Sequence, residues 1–331
     1  MGALTFVDVC SGAGGLALGL EQAGFEPRLL LDEDELAVTT LRANRPQWNV
    51  LHTDLLDFDP AEHPVSHDVD LLAAGLPRVR SSATAQRVDT GRETRLLEAA
   101  VYLVHAVRPR AVLIENVPEL VHSEIHQPFR DFAHAELDHL GYTSSWFDMN
   151  AVDFGVPQSR KHGVLVAVRR EWAGAFRSPV PTVREPMTVG TALGPSMAAG
   201  GWTDASQWAA QADQPAPTLV GGSKNRGGAD LGPTRTKQKW ATMGVNAHTV
   251  GDTVPGPDFA WQPELGRENM VKLTVEQTAL LQGFPATWQI SGRKTARYRQ
   301  VGHATPPPIG KALGRAVAEA LNSDSAAPAA G

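Results

Sequence analysis

The sequence predicts an α/β protein built on a doubly wound sheet, and three observations predict it. Short β-rich runs alternate with helix-period segments across the first half of the chain. A glycine cluster stands where the first strand would turn into the first helix. The texture then changes abruptly after about Trp172, which marks a second, smaller domain. A length of 331 residues fits about two domains at roughly 150 residues each. The 42% hydrophobic content is ample for a buried core and excludes a disordered or fibrous chain.

The elements follow in order. Residues 4–9 form the first strand, Ser11-Gly12-Ala13-Gly14-Gly15 the turn, and the residues to about Ala23 a helix. Residues 28–31 give a second strand and 35–43 a second helix. Further apolar runs at 69–74, 111–114 and 164–168 complete the sheet, with an amphipathic helix at 98–107 between two of them. Residues 173–264 are rich in Gly, Pro, Thr, Gln and Trp. They show no convincing helix period and read as an irregular, β-containing domain or long insertion. Regular character returns at 275–282 and 309–321, and the tail 322–331 reads as disordered.

Composition narrows the function classes. One cysteine, Cys10, excludes an intramolecular disulfide framework and any Cys-rich metal cluster. None of the eleven histidines is read as a metal ligand, so no metal is expected. No apolar run approaches ~18 residues and no leader is visible, so a cytoplasmic protein without a membrane segment is expected. The net charge of −6 is unevenly spread. Acidic residues cluster early, from Asp32 to Glu35 and from Asp54 to Glu62. Basic ones cluster late, as Lys224, Arg226, Arg235, Lys237 and Lys239, then Arg293, Lys294, Arg297 and Arg299. Two basic stretches flanking a polyanion is the sharper reading; two solvated surfaces is the plainer one.

Asp8, Cys10, Gly12, Gly14 and Gly15 surround the strand-to-helix turn, where glycine lets the backbone bend and approach a ligand at a helix N-terminus. Asp32, about 20 residues on, stands where an acid can hold ribose hydroxyls, and Asp54 could accept from an adenine amino group. The loop lacks the Gly-x-Gly-x-x-Gly spacing of a dinucleotide site. A nucleoside without phosphates, such as S-adenosylmethionine, fits better. Caps and turn formers alone remain the other reading.

The order of these motifs resembles the DNA (cytosine-5) methyltransferases. Glu115-Asn116-Val117 matches the family's Glu-Asn-Val, and Gln158-Ser159-Arg160 its Gln-x-Arg-x-Arg block. Leu281-Gln282-Gly283-Phe284-Pro285 resembles the ninth block, and Gln300-Val301-Gly302-His303 the tenth. Asp32 stands where the family usually has Glu, and Cys10 where it often has an aromatic residue stacking on adenine. The resemblance implies a Rossmann-like S-adenosylmethionine-dependent methyltransferase sheet from residues 1–172 and 265–321, with a target-recognition domain at 173–264. It implies double-stranded DNA as partner, Glu115 engaging a flipped cytosine, and Arg160 holding base or phosphate. Arg80, His162, Lys224, Arg226, Arg235 and His303 are the implied DNA contacts.

One position departs from that chemistry. The family places a nucleophilic cysteine after the proline of the loop that here reads Gly75-Leu76-Pro77-Arg78. Arg78 holds the cysteine position, and a guanidinium with a pKa above about 12 is no nucleophile at neutral pH. Ser81-Ser82 replaces the usual Phe-Ser, His162 the second arginine of its block, and His303 the usual asparagine. Three readings stay open: a DNA-binding homologue without catalysis, in which a partner subunit could supply activity; a transferase with altered acid–base chemistry; or a reading frame displaced over 78–90. Arg-Val-Arg can be encoded so that a one-base shift reads Cys-Pro.

Overall fold

The computed structural model describes residues 2–79, 91–222 and 228–323. It divides into two compact units. The first comprises residues up to 149, 161–180 and from 309; the second comprises 150–160 and 181–308.

In the first unit β1 (Leu4–Val9) leads into α1 (Gly15–Gln22), then β2 (Phe25–Asp32), α2 (Glu35–Asn44) and β3 (Val50–His52). The chain then crosses to β4 (Leu71–Gly75), α3 (Arg92–Val107) and β5 (Ala111–Asn116). It continues through α4 (Glu119–His122) and α5 (Gln127–His139) to β6 (Tyr142–Asn150). After the short β7 (Gln158–Ser159) come β8 (Lys161–Arg169) and α6 (Arg170–Ala173). The seven-stranded sheet has the order β3-β2-β1-β4-β5-β8-β6, with β3 to β5 mutually parallel and β8 antiparallel to β5.

This topology reverses direction between β1 and β4. In such sheets the crevice outside the carboxyl ends of the strands at the reversal is where ligands bind. β5 is buried along its whole length, as a strand covered on both faces must be. On one face Val7, Val9, Leu72, Ala74, Val112 and Ile114 pack with Leu97, Val101 and Val104 of α3. Burial of that apolar surface, at roughly 25 cal/mol per Å², is the main force holding the sheet to its helices.

Two elements of this unit were not expected from the sequence. Helix α5 opens near Pro128 and buries Phe129, Ala133 and Leu137, a clean i, i+4, i+8 stripe. Strand β6 sits at the sheet edge with only its ends buried, so Thr143, Ser144 and Ser145 dilute its hydrophobic signal.

The second unit differs from the irregular β domain expected. Its described residues include α7 (Val189–Ala198), α8 (Ala205–Gln211) and α9 (Thr234–Thr242), while its only named strand pairing joins β7 to β9 (Ala216–Pro217). Helices α7 and α8 are made largely of Gly, Ala and Ser, and α7 carries Pro195 inside it. Small residues give a weak helical period, yet they let these two helices pack closely. α10 (Val275–Leu281) and α11 (Lys294–His303) also group with this unit, and Gln277 donates to the Ser196 hydroxyl of α7. α12 (Pro307–Asn322) follows, returning to the first unit from Ile309 onward. Residues of the tail beyond 323 lie outside the described residues. No helix among the described residues is long and apolar enough to cross a membrane.

Candidate cofactor and base site

The carboxyl ends of the parallel strands gather most of the residues singled out in the first unit. At the end of β1, Gly12 (φ 52°) and Gly14 (φ 83°) take the left-handed conformation that only glycine adopts freely. Cys10 also takes it (φ 56°), at a cost of order 1 kcal/mol for a side-chain-bearing residue. The loop feeds directly into Gly15 at the start of α1.

Asp32, at the end of β2, ties this loop down. Gly12 N–H donates to its Oδ2 at 2.7 Å and Asp34 N–H to its Oδ1 at 2.8 Å. Burial raises its carboxyl above the ordinary range, and these two amides pull it back. Both oxygens thus hold backbone, each with a lone pair left for a ligand. Asp8, inside β1, is fully buried, and neither carboxyl oxygen has a hydrogen-bond partner. Burial pushes its pKa up to about 8; the nearby Ser11 hydroxyl opposes the rise and Asp32 adds to it. The Cys10 thiol is half-buried and is driven well upward by burial first, then by Asp32, Asp8, Glu33 and Asp54. It holds its proton at neutral pH.

Asp54 follows β3. Its Oδ1 accepts from Leu56 N–H at 3.0 Å, and its Oδ2 lies 2.8 Å from Arg92 Nη2. The same nitrogen reaches Glu33 Oε2 at 2.6 Å. Desolvation raises the Asp54 carboxyl, but the Leu56 amide and Arg92 outweigh it and hold Asp54 below the ordinary carboxylate range. The glycine loop therefore presents open space at Gly12, a buried unpartnered carboxyl and a ring of acids. Those acceptors suit the hydroxyls and amino group of a nucleoside without phosphates, and so fit S-adenosylmethionine.

The loop after β4 runs beside this edge. Asn116, the last residue of β5, holds it in place. Its Oδ1 accepts from Val79 N–H at 3.0 Å, and its Nδ2 donates to the Leu76 and Pro77 carbonyls at 3.4 and 3.2 Å. Arg78 is therefore presented from a pinned loop. Burial lowers its pKa, while the charges of Glu115 and then Glu119 raise it. The Arg78 guanidinium thus shares its electrostatic environment with the Glu115 carboxylate.

Glu115 and His162 meet here. His162 Nδ1 lies 2.6 Å from Glu115 Oε1, with both side chains buried. The pairing follows from register: β8 runs antiparallel to β5, so Gly163 faces Asn116 and His162 lies just beyond. A Cβ at Gly163 would sit 2.4 Å from the Val117 carbonyl, so only glycine allows the approach. His162, expected at DNA, is instead fully buried against this carboxylate.

Arg160 groups with the second unit, where it is fully buried; its Nη1 donates to the Leu219 carbonyl at 2.8 Å. Gln158 Oε1 accepts from Leu219 N–H at 2.8 Å, and its Nε2 donates to Gln282 Oε1 at 2.5 Å. Gln282 in turn donates to the Ala304 carbonyl. His303 is exposed, and its Nε2 donates to the Gly222 carbonyl at 3.2 Å. Two separated segments, residues 158–160 and His303, thus hold the backbone at Leu219 and Gly222, with Gln282 bracing Gln158. Arg235 is exposed on α9. Arg80, Lys224 and Arg226 lie outside the described residues.

Sequence reasoning missed Arg92 as a member of this edge. No local signal marks it, because Arg92 is 59 residues from Glu33 and 38 from Asp54.

Comparison with known proteins agrees with this architecture. The model of the C-5 cytosine-specific DNA methylase family matches residues 4–319. The chain is 43% identical over 328 residues to the Type II methyltransferase M.NaeI of Lentzea aerocolonigenes, covering 98% of this chain and 77% of that protein. It is 34% identical to the Type II methyltransferase M.NgoMIV of Neisseria gonorrhoeae, covering 97% and 99%. In fold it is similar to the Entamoeba histolytica methyltransferase EhMeth (TM-score 0.67, 11% identity, 98% and 100% covered). It is likewise similar to a DNMT2 mutant of Spodoptera frugiperda (TM-score 0.62, 15% identity, 95% and 99% covered). A family match over nearly the whole chain, on a sheet whose carboxyl edge carries the glycine loop and Glu115, means that this protein belongs to the C-5 cytosine-specific DNA methylase family, whose methyl donor is S-adenosylmethionine.

Proposed function

We propose that this chain is a cytosine-5 methyltransferase scaffold of the Type II restriction–modification kind that binds S-adenosylmethionine and double-stranded DNA but stops short of ordinary methyl transfer. Arg78 at the nucleophile position, in electrostatic reach of Glu115, carries the reading. Cofactor, when bound, supplies a methyl group on a sulfonium. Asp8, Cys10, Gly12, Gly14, Gly15, Asp32 and Asp54 would line its site.

Activation of cytosine needs a thiolate at C6, so that C5 gains the electron density to take the methyl group. Arg78 supplies a cation in that place, and the Cys10 thiol is protonated in another loop. Glu115, steadied by His162, would face the base, with Arg78 adding positive charge that favours binding over turnover. Residues 173–264 would read the target sequence, with Arg235, Lys224, Arg226 and His303 on the DNA side and Arg160 supporting from behind. Arg80 would add to the positive loop. The site of action is the cytoplasm.

The test is transfer of label from S-adenosylmethionine to mixed-sequence genomic DNA by the native chain and by Arg78→Cys. Label from the native chain overturns the reading. Label from Arg78→Cys alone supports it. Sequencing the gene across codons 78–90 decides the displaced-frame alternative: codons that give no cysteine in either shifted frame sink it.

A further inference from the structure

We propose that Arg92 is a cofactor-contact residue: its guanidinium, fixed between Glu33 and Asp54, supplies the flat face against which the cofactor's adenine packs. The inference rests on the S-adenosylmethionine reading of this edge. A purine presents two apolar faces, and the groups gathered around the glycine loop (Asp8, Cys10, Asp32, Glu33 and Asp54) include no aromatic ring to cover either. Carboxyls alone can satisfy ribose hydroxyls and an amino group, but they leave the base face wet.

Arg92 brings a planar group to these residues. It opens α3, and its Nη2 bridges Glu33 Oε2 at 2.6 Å and Asp54 Oδ2 at 2.8 Å. Asp54 first, then Glu33, holds the guanidinium above its ordinary range, and Cys10 lies within reach of the same charge. Arg92 therefore bridges the acids that follow β2 and β3. Two carboxylates fix one nitrogen, so the plane is oriented before a ligand arrives and little side-chain entropy is lost on binding. A guanidinium stacks on an aromatic face with a favourable cation–π term, and being weakly hydrated it loses little on desolvation. Asp54 keeps lone pairs for the adenine amino group beside it, since a carboxylate accepts at about four sites. The unpartnered Asp8 carboxyl, buried in the strand that feeds the loop, is independent evidence that this edge has polar capacity left over.

The experiment is calorimetric binding of S-adenosylhomocysteine, and separately of adenosine, to the full chain and its Arg92→Ala and Arg92→Lys variants. Arg92→Lys keeps a cation between Glu33 and Asp54 and so also serves as the folding control, its ligand-free melting temperature matching the native chain. The expected result is a loss of roughly threefold to thirtyfold for Arg92→Ala with both ligands, and a comparable loss for Arg92→Lys. Equal or tighter binding by Arg92→Ala overturns the proposal, because Arg92 would then be a bystander or a cover over Asp54. Full affinity in Arg92→Lys also overturns it, because charge rather than the plane would matter. If the native chain binds neither ligand, the cofactor reading itself falls and this proposal with it; native binding with an unchanged Arg92→Ala removes this proposal alone.

Discussion

His162 Nδ1 and Glu115 Oε1 stand 2.6 Å apart in the protein interior, joining β8 to the carboxyl end of β5. Both side chains are buried, at 0% and 6% exposure, so the contact is made out of water. Truncating one partner of a buried pair leaves the other's charge or polarity uncompensated. His162→Ala should therefore lower stability by about 3 kcal/mol in urea unfolding. In a double-mutant cycle, Glu115→Gln and His162→Asn should be non-additive by more than about 1 kcal/mol. Additive effects would show that the pair is not coupled.

Asn116 makes one side chain serve three backbone groups of the loop at residues 76–79. Asn116→Leu keeps the volume but leaves the Val79 amide without its acceptor. Hydrogen exchange at Val79 should then rise by at least about tenfold, with a stability cost of roughly 1–3 kcal/mol. Unchanged protection at that amide would mean the loop is held by other contacts.

Asp8 makes stability depend on pH with a defined sign. Its carboxyl titrates at about 8 in the fold against 3.8 for an unburied group. Between those values the folded chain holds a proton that the unfolded chain has lost, so stability is greatest at the acid end of this window. It falls as pH rises toward 8, by up to about 1.4 kcal/mol per pH unit from this group. Asp8→Asn should flatten that slope in denaturation series from pH 5 to pH 8. A slope identical to the native one would assign the effect elsewhere.

Cys10 should be chemically quiet. Burial and four neighbouring acids keep its thiol protonated, and only the thiolate reacts. A disulfide reagent such as Ellman's should label the native chain at pH 8 more than about tenfold slower than the urea-unfolded chain. Equal rates would place a reactive thiol beside the glycine loop.

Arg160 is a support for the backbone at Leu219 within the second unit. Arg160→Met should leave that carbonyl without its donor and cost about 1–3 kcal/mol, read by urea unfolding. Arg160→Lys, which keeps a donor, should recover part of the loss. A loss of DNA affinity with no change in stability would instead make Arg160 a direct contact.

Much of this was legible in the amino-acid sequence, and the reason differs from residue to residue. Strand β1, the loop at Gly12 and Gly14, and strand β5 carrying Glu115 announce themselves because buried parallel strands are short apolar runs and the turn needs left-handed residues. Helix α5 and strand β6 were less visible, one because Ala133 is a weak core marker and the other because an edge strand tolerates Thr and Ser. Helices α7 and α8 were hidden by their small residues, whose packing shows only when Gly190 is seen against Ala209.

Local pattern alone determined the strand–helix alternation, the glycine turn and the arginine that follows Pro77, because each is written in consecutive residues. Only the tertiary structure decided what each charged group meets. His162, expected to face DNA, turns to a carboxylate 47 residues away; Asp32 is occupied by the glycine loop; Arg92 closes the acidic edge across 38 and 59 residues. These partners are set by strand order and register, which bring distant chain segments to one edge of the sheet, and a hydrogen bond of 2.6–2.8 Å leaves no trace in the spacing of the residues that make it.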